Sequence, residues 1–183
     1  MKGGAFIVGP WDGAGAVLAG LAREVGLDPV HSYSSLARAE AQAIKTPLLF
    51  FLCAAVDDIR TLKPMADAIR FSPARRLRFS PLIYFTHNPA LEDIKRCINM
   101  GFDDVIVLPQ SGARVEERIG RLVGSVQVYF ETPTYFGPDR RNRFEEVVAH
   151  PKRGSGGEFR RIEIIRRPDT GTEVLNGEEQ VVL

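Results

Sequence analysis

Residues 81–109 read PLIYFTHNPALEDIKRCINMGFDDVIVLP. PLIYF (81–85) and DVIVL (104–108) are apolar runs of strand length. Between them Leu91, Ile94, Lys95, Ile98 and Met100 suggest a helix, and Gly101 closes it. Strand, helix and strand in so short a span is the crossover unit of a parallel sheet, because neighbouring parallel strands cannot be joined by a tight turn.

The same alternation extends outward in both directions. Pro47 opens LLFFLCAAV (48–56), an unbroken apolar run that fits a central strand buried on both faces. Ahead of it, Ala5–Val8 reads as a strand stopped by Gly9-Pro10. Asp12 is expected to cap a helix carrying Val17, Leu18, Leu21, Ala22 and Val25, ended by Gly26. Val30–Tyr33 is a weaker strand, and Ser34 or Ser35 caps an Ala-rich helix over 36–44. Asp57 and Asp58 open a helix with Ile59, Leu62, Met65, Ala66 and Ile69 inward, and Val115, Ile119, Leu122 and Val123 mark the last one. These elements predict an α/β fold: a five-stranded parallel doubly wound sheet over residues 1–124 with helices on both faces. In such a sheet the crevice lies beyond the carboxyl ends of the strands. The residues there are Gly9, Pro10 and Trp11; Cys53 and Ala54; Thr86, His87 and Asn88; Leu108 and Pro109.

Composition bounds the function. The chain has 183 residues, 44% hydrophobic and 26% charged, with net charge +1. That is enough apolar material for one core, and it gives no global electrostatic case for nucleic acid or an anionic membrane. Two distant cysteines exclude a disulfide scaffold. The longest apolar run is far short of the roughly 20 residues a membrane-spanning helix needs. The apolar patch in MKGGAFIVGPWDG is too short for a signal-peptide core, so a cytoplasmic location is expected. His31, His87 and His150 show no metal-ligand spacing, and no metal or cofactor is expected.

From about Ser125 the character changes. VQVYFETPTYFGPDRRNR is aromatic and punctuated by Pro and Gly. GSGG (154–157) reads as a joint or tight loop, and FRRIEIIRR with EVLNGEEQVVL flanks the turn-like PDTG (168–171), as in a β-hairpin. Residues 125–183 are therefore read as a C-terminal extension.

The strand ends resemble a known family. Residues 5–124 look like the receiver domain of bacterial two-component response regulators, chiefly through PLIYFTHN and INMGFDDVIVLP. Thr86 matches the family's hydroxyl after the fourth strand, and Gly101, Asp103, Asp104 and Pro109 match its Gly-x-Asp-Asp-(aromatic)-x-x-Lys-Pro signature. Tyr135, Gly137, Pro138, Asp139, Arg140 and Arg141 are similar to a Tyr-x-Gly-Pro-Asp-Arg-Arg segment that follows some receiver domains. The resemblance implies phosphotransfer from a histidine kinase to an aspartate. That chemistry needs an acidic pair to hold Mg²⁺, an Asp nucleophile, a Lys and a hydroxyl. Here the acidic pair falls on Gly9-Pro10, the nucleophile on Cys53, or on Leu52 if the register slips by one, the lysine on Leu108 and the fifth-strand aromatic on Val105. Only Thr86 remains. The resemblance thus implies a degenerate phosphorylation site, a pseudo-receiver without enzymatic activity.

The remaining residues weigh toward structure rather than chemistry. Cys53 is expected to be a small buried hydrophobe, and Thr86 a hydroxyl bonded to nearby backbone. Trp11 is expected to plug the vestigial pocket or to anchor a partner. Arg70, Arg75, Arg76 and Arg78 read as solvated surface, as do Arg140, Arg141 and Arg143, with a protein interface next.

The leading expectation is a receiver-like adaptor in bacterial signalling that binds a histidine kinase, a phosphotransferase or another regulator, or forms a homodimer. By analogy with receiver domains two surfaces are candidates, and one is the first helix with the loop after the fifth strand: Ala14, Val17, Leu18, Leu21, Pro109 and Gln110. The other is the face of the helix at 91–99, the fifth strand and the last helix, carrying Ile94, Lys95, Ile98 and Val105 together with Val107, Val115 and Arg118. Two alternatives stand beside it. One is a small-ligand or nucleotide sensor using the Gly-rich GPWDGAG loop and the crevice, although that loop lacks the phosphate-binding fingerprints. The other is nucleic-acid binding through the Arg-rich tail.

Overall fold

In the computed structural model, which describes residues 3–10, 13–88, 90–139 and 158–181, the elements follow in the order β1 (Gly4–Val8), α1 (Ala14–Glu24), β2 (Val30–Ser32), α2 (Leu36–Lys45) and β3 (Leu49–Cys53). A 3-10 turn (Ile59–Leu62), α3 (Lys63–Arg70) and the short α4 (Arg75–Arg78) lead to β4 (Leu82–Thr86). Then come α5 (Leu91–Asn99), β5 (Asp104–Val107) and α6 (Gly112–Gly120). Four further strands close the chain: β6 (Val126–Thr132), β7 (Tyr135–Pro138), β8 (Glu158–Arg167) and β9 (Gly171–Val181).

The first five strands form one parallel sheet in the order β2-β1-β3-β4-β5. The central strands β1, β3 and β4 are buried along their whole length, whereas the edge strands β2 and β5 are only partly covered. Unbroken apolar runs are what strands covered on both faces require. Side chains alternate between two cores. Ala5, Ile7, Phe50, Leu52, Ile83 and Phe85 face α1 and α6, which contribute Leu18, Ala22, Val115 and Ile119. Phe6, Phe51, Cys53, Leu82 and Tyr84 face α2, α3, α4 and α5, which contribute Ala39, Ala66, Leu77 and Cys97.

Several local expectations are corrected. The cap of α1 is Gly13, not Asp12, which lies outside the described residues. Asp58 caps the 3-10 turn rather than a full helix, accepting from the Arg60 N–H at 3.0 Å. Leu18 and Val115, placed on candidate docking faces by analogy with receiver domains, point into the core, as their apolar helical spacing requires. Ser35 does cap α2, with its Oγ accepting from the Arg38 N–H.

The extension is more than a hairpin. It is a four-stranded antiparallel sheet, β7-β6-β8-β9. Its inner face, Tyr129, Phe136, Ile162 and Ile164, packs on Phe79, which follows α4. Phe79 meets Tyr129 and Phe136 edge-on at 5.4 and 5.2 Å between ring centroids. The second sheet therefore sits beside the start of β4, on the amino-terminal rim of the parallel sheet and away from the crevice at the carboxyl ends.

Candidate functional site

The strand register assembles the predicted crevice. Val8 pairs with Cys53 and Cys53 with Tyr84. The N–H of Ala54 donates to the Val8 carbonyl at 2.9 Å, and that of Leu108 to the Thr86 carbonyl at 2.8 Å. Gly9 is exposed beyond β1. The Pro10 carbonyl lies so close to the first turn of α1 that a Cβ on Gly15 would stand 1.9 Å from its oxygen, so only glycine fits there.

Gly9, Pro10, Ala54 and Leu108 offer no acid, base or cation. Cys53 is fully buried, and burial pushes its thiol well above the ordinary range, so it remains protonated. Thr86 is bound locally: its Oγ1 accepts from the Asn88 N–H at 3.2 Å and donates to the Asn88 carbonyl at 3.1 Å. The Tyr84 hydroxyl accepts from the Val56 N–H at 3.4 Å, tying β4 to the chain leaving β3. Asp58 is turned toward its own helix, where hydrogen bonds from Arg60 hold its carboxyl below the usual range. Among the described residues, no group of three or more His, Cys, Asp or Glu side chains is placed to hold a metal ion.

The candidate docking residues divide. Val17 is exposed on α1 with Leu21 half-buried beside it, and Pro109 is exposed after a cis Leu108–Pro109 peptide. Ile98 and Val105 come together with Ile94, Gln110 and Arg118 in a groove of about 730 Å³ between α5, β5 and α6. The second sheet adds Gln127 to its wall. Arg118 is fixed there by Asp104, donating from Nε at 3.0 Å and from Nη2 at 2.6 Å. Trp11, Arg140 and Arg141 lie outside the described residues.

Sequence reasoning missed a buried ionic cluster. Arg70, read as solvated, is fully buried, as are Asp103, Tyr129 and Arg166. Asp103 Oδ2 accepts from Arg70 Nη2 at 2.6 Å and from the Leu82 N–H at 2.8 Å. Its Oδ1 accepts from Arg166 Nη2 at 2.8 Å and from the Tyr129 hydroxyl, which itself accepts from Arg166. One carboxylate faces two guanidiniums, and helix ends supply the missing negative charge. Arg70 donates to the carbonyls of Gly101, Arg78 and Ser80, and Arg166 to those of Phe79 and Leu122. These carbonyls lie at or just past the C-termini of α4, α5 and α6, where unpaired carbonyls and the helix dipoles favour cations. Burial alone would raise the Asp103 pKa, but Arg166 and Arg70 override it and hold the carboxyl at about 2. Gly101 and Asp103, half of the motif that carried the family resemblance, thus hold the second sheet in place.

The parallel-sheet portion has the fold of receiver domains. It matches the receiver domain of a sensor histidine kinase from Pseudomonas aeruginosa PAO1, whose structure has a magnesium ion coordinated in the active site cleft. That match has 21% identity and a TM-score of 0.50, and covers 68% of this chain and 100% of that one. A signal receiver domain of a histidine kinase from Syntrophus aciditrophicus aligns with 19% identity and a TM-score of 0.46, covering 65% and 88% of the two chains. A CheY-like protein of Pseudomonas aeruginosa PAO1 aligns with 13% identity and a TM-score of 0.49, covering 64% and 98%. No protein-family model matches the chain, and no curated protein matches it. No helix among the described residues is long and apolar enough to cross a membrane.

Proposed function

We propose that this chain is a non-phosphorylatable, receiver-like protein-interaction module in signal transduction, and not an enzyme. One observation carries the reading. Gly9, Pro10, Cys53 and Leu108 stand at or just past the ends of β1, β3 and β5, and it is on these residues that the family resemblance puts two carboxylates, a nucleophile and an ammonium. An acyl phosphate forms only where a carboxylate attacks phosphorus and cations neutralise the phosphoryl oxygens. A neutral buried thiol and a glycine-proline pair supply neither.

The scaffold is left free to bind. The groove between α5, β5 and α6 presents Ile94, Ile98 and Val105 beside the fixed guanidinium of Arg118, an apolar strip with a polar rim of the kind protein interfaces use. The partner in this reading is a kinase, a phosphotransferase, another regulator or a second copy of the chain, met in the cytoplasm.

Incubation with acetyl phosphate and Mg²⁺, followed by intact mass measurement, tests the reading. The expected result is an unmodified mass and no spectral change on adding Mg²⁺ with beryllofluoride. A stable phosphorylated species overturns it.

A further inference from the structure

An antiparallel sheet packed on one side ordinarily turns polar side chains outward, in alternation with its core residues. In the second sheet Tyr129, Ile162, Ile164 and Arg166 point inward. Val128 and Phe130 of β6, with Phe159, Arg161, Glu163 and Ile165 of β8, therefore take the opposite face, and most of them are apolar. The register makes them one patch: Val128 stands beside Glu163 and Phe130 beside Arg161. The Phe130 and Phe159 rings lie 5.7 Å apart between centroids. Val126, 53% exposed, continues the patch beside Ile165. At its centre Arg161 Nη2 pairs with Glu163 Oε1 at 2.6 Å, so the middle of the face is neutral and offers an anionic lipid surface no excess of cations.

The face is complementary to itself. Tyr129 and Ile162 stand at one level of the register. A two-fold axis in the plane of contact, running across the strands at that level, lays β8 antiparallel over the partner's β8 and β6 over the partner's β6. Positions one residue to either side of the axis then exchange. Arg161 meets the partner's Glu163, and Phe130 meets the partner's Val128. Further out, Phe159 meets the partner's Ile165. Each cation faces an acid, each aromatic ring faces a smaller aliphatic side chain, and no like charges on β6 or β8 meet. The two intrachain ion pairs close into a square of alternating charge. Sheets stacked in this way, about 10 Å apart and crossed by about 30°, form the core of a β-sandwich, and the crossing disturbs the pairs nearest the axis least.

We propose that two copies of this chain dimerise through this face, sheet on sheet, about a two-fold axis at the level of Tyr129 and Ile162. A second copy is selected over another partner because a two-fold interface requires one patch to match itself, in charge and in size, and the register of β6 and β8 supplies both matches. The interface is separate from the α5–β5–α6 groove and from the carboxyl-terminal crevice.

Sedimentation equilibrium of the full chain tests this. The expected result is a mass that climbs from monomer to dimer as concentration rises. Arg161→Glu and Glu163→Arg each set like charges across the axis twice over and should weaken the dimer by about tenfold or more. Mixing the two variants should restore it, because every cation of one chain then faces an acid of the other, a rescue that a purely intrachain role for the pair does not give. Ile98→Arg, in the α5–β5–α6 groove, should leave the mass unchanged. In the wild-type chain the methyl resonances of Val126, Val128 and Ile165 should shift with concentration while those of Ile98 stay, which tests the face without a substitution. A monomer at every concentration overturns the proposal, whether the face is then in water or under residues 140–157. So does a dimer that Ile98→Arg dissociates, or a mixture of the two folded charge variants that stays monomeric.

Discussion

Arg166 Nη2 and Asp103 Oδ1 lie 2.8 Å apart, although 63 residues separate them and one stands in β8 while the other stands at the entrance to β5. Neither side chain is exposed to solvent by more than 1%. The pair is costly to break: without Asp103 two guanidiniums stay buried with no carboxylate, and without Arg166 the carboxylate keeps only Arg70 while Oδ1, the Tyr129 hydroxyl and two carbonyls lose a buried donor.

Replacing Arg166 by Met should therefore destabilise the protein by about 3–5 kcal/mol. The Phe79 and Leu122 carbonyls lose their donor as well. Arg166→Lys should not restore stability, since an ammonium cannot reproduce the fork that reaches three elements. Urea denaturation checks both variants: the midpoint should fall with the slope unchanged.

The Asp103 carboxyl titrates at about 2 in the folded protein, below its ordinary value of about 3.9 in an unfolded chain. Its contribution is thus fully present above about pH 4 and is lost as pH falls toward 2. The gap corresponds to about 2–3 kcal/mol at neutral pH. Stability measured across this range should drop on the acid side, and Asp103→Asn should be less stable at neutral pH with a flatter acid limb.

Gly101 has φ +84°, and a Cβ there would stand 2.5 Å from the Phe136 carbonyl oxygen. Gly101→Ala meets both a backbone penalty and a clash at the joint between the sheets. The expected cost is about 1–3 kcal/mol, with hydrogen exchange accelerated in β6 and β7 more than in β1. Equal exchange in both sheets would show that Gly101 has no special part in the joint.

Cys53 and Cys97 are both buried, and burial pushes their thiols up, that of Cys97 to about 12. Neither should react with a thiol reagent at neutral pH in the folded protein, and both should react on unfolding. Fast modification of one thiol without denaturant would contradict this.

Ile98 lines the α5–β5–α6 groove and is only half-buried. Ile98→Arg should leave the melting temperature within a few degrees while removing a protein captured by the wild-type chain from its native cell extract. Retention of that protein would place its docking site elsewhere.

The parallel fold was legible because its signal is local. LFFLC and LIYFT read as buried strands because both faces of a central strand are covered. That Gly9, Pro10 and Leu108 carry no ionisable side chain was equally legible, since residue type alone decides it. The ionic cluster gave only partial signals. Arg70 sits at the inward spacing after Ala66, and Arg166 alternates with Ile162 and Ile164 on one face of β8. Charged residues are almost never fully buried unless paired, and the partners here are far off in the chain.

The sequence by itself determined the order of strands and helices and the burial of the central strands. Each follows from residue type and short-range period. Only the tertiary structure decided that the extension is a second sheet fixed to the amino-terminal rim, and that Asp103 serves as its anchor. One carboxylate can balance two buried arginines only where three helix ends converge, and that convergence exists only in the assembled fold.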